Sequence, residues 1–401
     1  MRVLTVAPSW PKYSELWLTR MMELTAPNLV GFACFAPPVR SFRNSESDVP
    51  VIDLLGRLGP VTKRLRLPMA LRYGAARRVP ELGGSAIRSA IEQLDVDVTL
   101  CHYAGFASLY SHTWTRSGTP LAVHCHGFDV PWELPHRSRT ARMIHNRRIS
   151  RLKRLAEQAL LVANSQFTGD RLREIGIPPE RIHVKPLSVP VPAAFTARPP
   201  RPGPLELLYL GRLVDFKGPV ETIHAFDLAR RRGLDARLTI AGDGGLRKQC
   251  EAAAAAGSSG DHIRFLGAVD AATGARLRGE ADIFTAHNRP SAADGQVEAF
   301  GVSVVEAMAD GLPVVTAASG AVTETVVHLQ TGLLVSPGDI DGHAEALVAL
   351  GRSADDRMRM GQGGWARARE LFSPERERAT LEAVLRSAIQ LGPKRQDRAT
   401  T

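Results

Sequence analysis

The sequence predicts an α/β protein built from two doubly wound, parallel-sheet domains. Three observations carry this. The chain has 401 residues, too many for one ordinary core and right for two domains of roughly 200 residues each. Short apolar runs alternate with helical patterns along its length, which gives βαβ units with right-handed crossovers. Those runs are rich in Val, Leu and Ile on both faces, as strands of a parallel sheet covered by helices must be.

In the first half the strand-like runs are RVLTVAPS, VDVTLCHYA, LAVHCHGF and ALLVANS. In the second they are LELLYLGR, ARLTIAGDG, IRFLGAV, ADIFTAH, LPVVTA and GLLVSP. Residues 36–50 and 56–84 carry patterns too weak to assign. Between the halves, residues 186–204 (PLSVPVPAAFTARPPRPGP) hold seven prolines. Proline fixes φ and removes a donor, so this stretch is a connector rather than sheet or helix. The expected division is a first domain over 1–188, a linker over 189–204 and a second domain over 205–375. A helix over 376–391 is expected to pack back on the first domain. The end, 392–401, has no apolar face and is expected to be a disordered tail.

Composition narrows the class. With 44% hydrophobic and 23% charged residues the chain is an ordinary globular one. Cys34, Cys101, Cys125 and Cys250 are far apart and make no C-x-x-C pair, which points to a reducing compartment rather than a disulfide framework. MRVLTVAPSW reads as a first buried strand, not a signal peptide. No run approaches about 18 uninterrupted apolar residues, so no membrane-spanning helix is expected. The expected location is the cytoplasm. The net charge of +10 is uneven: residues 1–200 hold 27 Lys and Arg against 15 Asp and Glu. That excess suits an anionic surface or substrate.

The second half carries candidate anion contacts in a telling order. In YLGRLVDFKGP (209–219) a strand ends near Leu210, and Arg212 and Lys217 follow where the sheet's carboxyl edge should be. Ligands of open α/β sheets bind at that edge, and a guanidinium and an ammonium both suit a diphosphate. Next, in AGDGGLRKQCE (241–251), Gly242, Gly244 and Gly245 permit a tight turn or close backbone approach to a ligand. Then EAFGVSVVE (298–306) places Glu298 before a helix expected to start near Gly301 and to end at Gly311 as its C′ residue. The amides of Phe300, Gly301 and Val302 could donate to phosphate or sugar oxygens at that N-terminus. Glu306, in the second turn, could accept from a pair of ribose hydroxyls, and Glu298 from hydroxyls of a sugar. Taken singly, these stretches also read as a solvated basic loop, a plain turn and surface carboxylates.

Together, GRLVDFKG, GDG, the pair Glu298 and Glu306 with seven residues between them, and SGAVTETVVHLQTGLLVSPGD resemble the donor-binding half of glycosyltransferase family 4. The resemblance covers residues 205–375 well and the first half more loosely. It implies a GT-B architecture: two Rossmann-like domains facing across a cleft, and a retaining enzyme. It implies that Arg212 and Lys217 hold a nucleotide diphosphate and stabilise the leaving group. Glu306 would bind the ribose and Glu298 the donor sugar. LAVHCHGFDV resembles the family's H-G-x-D stretch, so His126 would reach that sugar too. TLCHYAGFAS and PKYSELW resemble a bacterial branch that builds exopolysaccharides. Tyr13, Ser14, His102 and Tyr103 are the candidate acceptor contacts. Three departures stand out: the first loop, APSWPKYSE, lacks the usual Gly-Gly pair; Gly320-Ala-Val-Thr-Glu324 stands where Gly-Gly-x-Pro-Glu is usual; and Leu187-Ser-Val-Pro190 replaces Asn-Gly-Val-Asp. The same residues would serve a non-catalytic nucleotide-sugar-binding protein or a nucleotide-sugar epimerase of this architecture, though Glu298, Arg212 and Lys217 together count against a dead site.

Two further stretches invite other chemistry. Alternation puts His124 and His126 on one strand face, but a metal needs three or four ligands and no further cluster lies nearby in sequence. No metal and no cofactor are expected beyond the nucleotide sugar, since Arg212 and Lys217 supply the charge. Residues 137–154 hold eight basic residues and residues 61–78 six, with no acidic residue in either. Such segments can lie on anionic lipid, so a peripheral position on the inner membrane face and a lipid-linked acceptor are expected. No aromatic platform accompanies the charge, which argues against nucleic acid.

Overall fold

The computed structural model describes the chain apart from residues 12–15, 27, 36, 45–46, 56–79, 128–129, 131–137, 200 and 393–401. The chain divides into two compact units. One runs to Lys185 and takes up the chain again from Glu377; the other holds Pro186–Arg376.

The first unit is an eight-stranded sheet. Its strands are β1 (Val3–Val6), β2 (Leu29–Cys34), β3 (Ser41–Arg43), β4 (Asp48–Asp53), β5 (Val98–His102), β6 (Leu121–Cys125), β7 (Leu160–Ala163) and β8 (Ile182–Val184). The order is β3-β4-β2-β1-β5-β6-β7-β8, so strand order reverses between β1 and β5. Every pair is parallel except β3 with β4. β1, β5, β6 and β7 are buried at every position. Their mainly apolar runs make them legible in the sequence. β2 is interrupted by Gly31, where a Cβ would come 2.6 Å from the tip of Leu94; the close packing that demands glycine also blurs the strand pattern.

The last helix, Pro374–Leu391, buries Leu381, Val384, Leu385 and Ala388. Arg378 donates to the carbonyl of Ala26 at 2.9 Å, and Glu377 pairs with Lys185, whose ammonium is fully buried. Burial pulls the Lys185 pKa down, and the Glu377 carboxylate works against that.

The second unit is a six-stranded, all-parallel sheet: β9 (Leu205–Leu210), β10 (Ala236–Ala241), β11 (Ile263–Gly267), β12 (Ile283–Ala286), β13 (Val314–Ala317) and β14 (Gly332–Val335). Its order, β11-β10-β9-β12-β13-β14, is that of a doubly wound dinucleotide-type sheet, with the reversal between β9 and β12. Helices such as Pro219–Arg231 and Ile340–Arg352 pack on it, and Phe226, Ile223, Leu347, Leu207, Leu208 and Phe284 are all buried. The loops that leave β9 and β12 therefore flank the crevice where such sheets take ligands.

Candidate active site

The loop after β9 is pinned from below. The Tyr209 hydroxyl, buried, donates to the carbonyl of Arg212 at 2.9 Å. A single turn, Asp215–Lys217, then swings Lys217 forward and ends at Gly218 with φ 57°. A Cβ on Gly218 would lie 1.8 Å from the carbonyl oxygen of His287. Glycine there lets the loops after β9 and β12 touch backbone to backbone. Phe216 lies buried beneath, its ring 5.7 Å from both the Arg212 guanidinium and the Lys217 ammonium. Both cations thus lie within 5.7 Å of one ring centroid, in the loop after β9.

Glu298 is the centre of this arrangement. It is 8% exposed and pairs with the ammonium of Lys217. Its Oε2 also accepts from Asn288 Nδ2 at 3.4 Å, and Asn288 is in turn fixed by Thr316, whose hydroxyl donates to Asn288 Oδ1 at 3.1 Å. Its Oε1 accepts from the amide of Gly301 at 3.1 Å. Burial opposes ionisation, yet Lys217 and the amides of Phe300 and Gly301 hold the carboxyl below the ordinary range. Gly301 takes φ 85° and opens the helix Val302–Ala309; Gly311, with φ 74°, lies just past its end. Two of the three amides read as ligand donors, those of Phe300 and Gly301, are therefore bonded to Glu298 here, because a carboxylate placed before a helix N-terminus satisfies its free N–H groups. The Gly320 Cβ position lies 2.2 Å from the carbonyl oxygen of Glu298, so that glycine, too, serves the Glu298 loop.

The loop after β12 is braced by a buried chain of hydrogen bonds. The Gly338 amide donates to His287 Nε2 at 2.8 Å. That places the His287 proton on Nδ1, which faces His343 Nδ1 at 2.9 Å. His343 must then carry its own proton on Nε2, 2.8 Å from the Thr285 hydroxyl. Burial pushes His343 down to about 3 and His287 to about 4, so both rings stay neutral as this one-way chain requires.

Glu306 lies in the second turn of that helix, 9% exposed. Arg278 bridges it to Asp310, at 3.2 Å and 2.6 Å. Gly242, with φ 151°, has a mainly structural duty: a Cβ there would sit 1.8 Å from the carbonyl oxygen of Gly211, so it admits the loop that carries Arg212. Sequence reasoning missed Asn288, His287, His343 and Arg278. An asparagine after a strand reads as a turn residue, and the two histidines lie far apart in the chain.

In the first unit, His102 ends β5 and His124 lies in β6, directly opposite in register. Both are 0% exposed. His126, one residue past β6, is partly buried, with its Nε2 3.4 Å from His102 Nδ1. Trp17 stacks on it with ring centroids 3.8 Å apart, and Tyr103 lies 5.0 Å away. Tyr103 takes φ 70°, a strained backbone of the kind that collects at functional sites. Burial and the nearby Lys185 charge push His102 down to about 3. His124 and His126 do lie together, with ring centroids 4.2 Å apart, and parallel pairing adds a third imidazole from the neighbouring strand that is not near in sequence. Tyr13 and Ser14 lie outside the described residues, as does the basic stretch 61–78. The other basic stretch forms the helix Arg139–Ala156, which exposes Met143 and Ile144 among its arginines. The four cysteines are buried, and none of them is in a disulfide. Among the described residues, no helix is long and apolar enough to cross a membrane.

Comparison with known proteins places this geometry. The family signature described as glycosyl transferases group 1 matches residues 193–367, and that described as Glycosyltransferase Family 4 matches residues 39–191. The amylovoran biosynthesis glycosyltransferase AmsK of Erwinia amylovora is 29% identical over 306 residues, 75% of this chain and 69% of the relative. A GDP-mannose-dependent alpha-(1-6)-phosphatidylinositol monomannoside mannosyltransferase of Mycolicibacterium smegmatis is 28% identical over 311 residues, 74% of this chain and 78% of the relative. Among solved structures, Anabaena HepE in complex with UDP and glucose superposes with a TM-score of 0.72 at 18% identity, covering 96% of this chain and 100% of HepE. With both halves matched by adjoining signatures and the fold shared over nearly the whole length, the chain belongs to the group 1 and family 4 glycosyltransferases of GT-B fold.

Proposed function

We propose that the protein transfers a glycosyl group from a nucleotide-diphosphate sugar to an acceptor hydroxyl with retention at the anomeric carbon, in the synthesis of a bacterial surface glycan. The observation that carries this is Lys217, paired with an ionised Glu298 at the switch point and beside Arg212. A diphosphate entering there meets the ammonium and guanidinium over Phe216. Charge grows on that diphosphate as the glycosidic bond breaks, so both cations stabilise the transition state more than the ground state. Glu298 exchanges its Lys217 contact for donor-sugar hydroxyls, and Glu306 exchanges Arg278 for the ribose. The departing phosphate oxygen takes the acceptor's proton on the face it leaves, which keeps the configuration. No protein nucleophile and no metal at the diphosphate are required. In the first unit, His126, with His102 and Tyr103, meets sugar hydroxyls. The two relatives favour this reading: one is named for amylovoran biosynthesis and the other for GDP-mannose and a phosphatidylinositol mannoside.

The acceptor is lipid-linked in this reading, and the helix Arg139–Ala156 rests on anionic lipid through its arginines with Met143 and Ile144 inserted. Flotation with vesicles lacking and containing anionic lipid tests that part; equal recovery in both ends it. The reaction itself is tested by thermal shift against UDP-, GDP- and ADP-sugars, followed by slow hydrolysis of the donor that binds. Donor turnover that Arg212→Ala abolishes supports an enzyme. Tight donor binding without any turnover, with acceptors supplied, identifies a binding protein instead.

A further inference from the structure

His102 and His126, given sugar contacts above, belong with His124 to a largely buried cluster of imidazoles whose further chemistry the transfer alone does not explain. His102, His124 and His126 project from one face of adjacent strands because β5 and β6 pair in parallel with His102 opposite His124, while His126 follows two residues on. One nitrogen of each ring lies within 4.8 Å of the others. His102 Nδ1 and His126 Nε2 are 3.4 Å apart, close to the separation of about 3.3 Å between two nitrogens on a tetrahedral ion with bonds of about 2.05 Å. His102 Nε2 and both ring nitrogens of His124 are buried and have no hydrogen-bond partner among the described residues. Buried polar atoms are nearly always satisfied, and those that are not call for an ion or a water. A hydrogen bond between His102 and His126 accounts for one pair and leaves His124 with nothing. An ion held by His102 Nδ1, His126 Nε2 and one nitrogen of His124 engages all three rings and gives His124 the partner it lacks.

We propose that His102, His124 and His126 form a three-histidine site for a divalent transition-metal ion of the zinc class. Three imidazoles without a carboxylate favour such an ion over magnesium or calcium. Three protein ligands leave a fourth position to solvent or substrate, the pattern of reactive rather than purely structural zinc sites. The partly exposed ring of His126, under Trp17, marks the side from which that position is reached. The site lies in the first unit and goes beyond the donor chemistry proposed above, which needs no ion.

The test uses the full chain without a polyhistidine tag, stripped with a chelator and titrated with Co²⁺. The expected result is uptake of about one equivalent, with the intense visible bands of four- or five-coordinate cobalt, reversed by Zn²⁺. His102→Asn and His124→Asn each weaken Zn²⁺ binding at least about tenfold, a floor set by what loss of an outer-shell partner alone does; His112→Asn, on the surface of the same unit, leaves it unchanged. No uptake by the wild type, uptake only at millimolar metal, or uptake that persists in the His102→Asn/His124→Asn variant overturns the proposal. The wild-type titration decides even if a variant fails to fold. Binding of a nucleoside diphosphate to the stripped protein, measured in parallel, reports on the donor site separately.

Discussion

Removing Lys217 should damage the protein twice, in ways that can be separated. Its ammonium pairs with Glu298, and the two side chains are only 17% and 10% exposed. Lys217→Ala leaves an ionised carboxylate buried with only neutral donors, Asn288 and the amides of Phe300 and Gly301. Breaking a fully buried pair costs about 3–5 kcal/mol; with those donors retained and some exposure, about 2–3 kcal/mol is expected here. That corresponds to a fall of roughly 5–10 °C in the melting midpoint of a unit this size. Independently, loss of one positioned charge at the leaving group should lower kcat by about 10²–10³. Adding Glu298→Gln neutralises the orphaned carboxylate, so the double variant should regain most of the lost stability. Activity should not return, because neither the diphosphate cation nor the sugar-holding carboxylate is present. Thermal melts and donor turnover on the two variants make the comparison. Turnover that recovers in step with stability, or Lys217→Ala within tenfold of the wild-type rate, would refute the reasoning.

Other outcomes follow from the same structure. Gly218→Ala puts a Cβ against the His287 carbonyl at a left-handed φ, and should cost at least about 2 kcal/mol, read by chemical denaturation. Glu377→Gln strands the buried Lys185 ammonium and should cost about 3 kcal/mol or more, whereas Lys185→Met/Glu377→Leu should recover much of it. His287 and His343 have folded pKa values depressed to about 4 and about 3, so the unfolded chain binds more protons below its ordinary value near 6.5. Their stabilisation is complete above that value and drains as pH falls, at about 1.4 kcal/mol per pH unit for each ring. His343→Gln should flatten the decline of the melting temperature between pH 6 and 4; an unchanged slope counts against the neutral chain.

Much of this was legible locally. The ten strands read from the sequence are mainly apolar runs, and Gly301 and Gly311 announced a helix start and stop because each position needs a left-handed φ. β3 and β4 were not legible: Ser41–Arg43 is short and largely exposed, and β4 carries Pro50 in an edge ladder. The pairings that matter chemically were hidden for another reason. Glu298 with Lys217 spans 81 positions, His343 with His287 56, and His126 with His102 24. Sheet order and register create those contacts, and neither is written in local periodicity. The amides of Phe300 and Gly301 illustrate the limit from the other side. Sequence identified the helix start correctly, but could not show that Glu298 itself would fold back on it.

The most direct test is a crystal structure with the nucleoside diphosphate of whichever donor stabilises the protein. The account places a phosphate oxygen within about 3 Å of Lys217 Nζ, Arg212 turned onto the same diphosphate, and the ribose hydroxyls on Glu306. A nucleotide bound elsewhere, with Lys217 still locked on Glu298 and Arg278 still on Glu306, would contradict it.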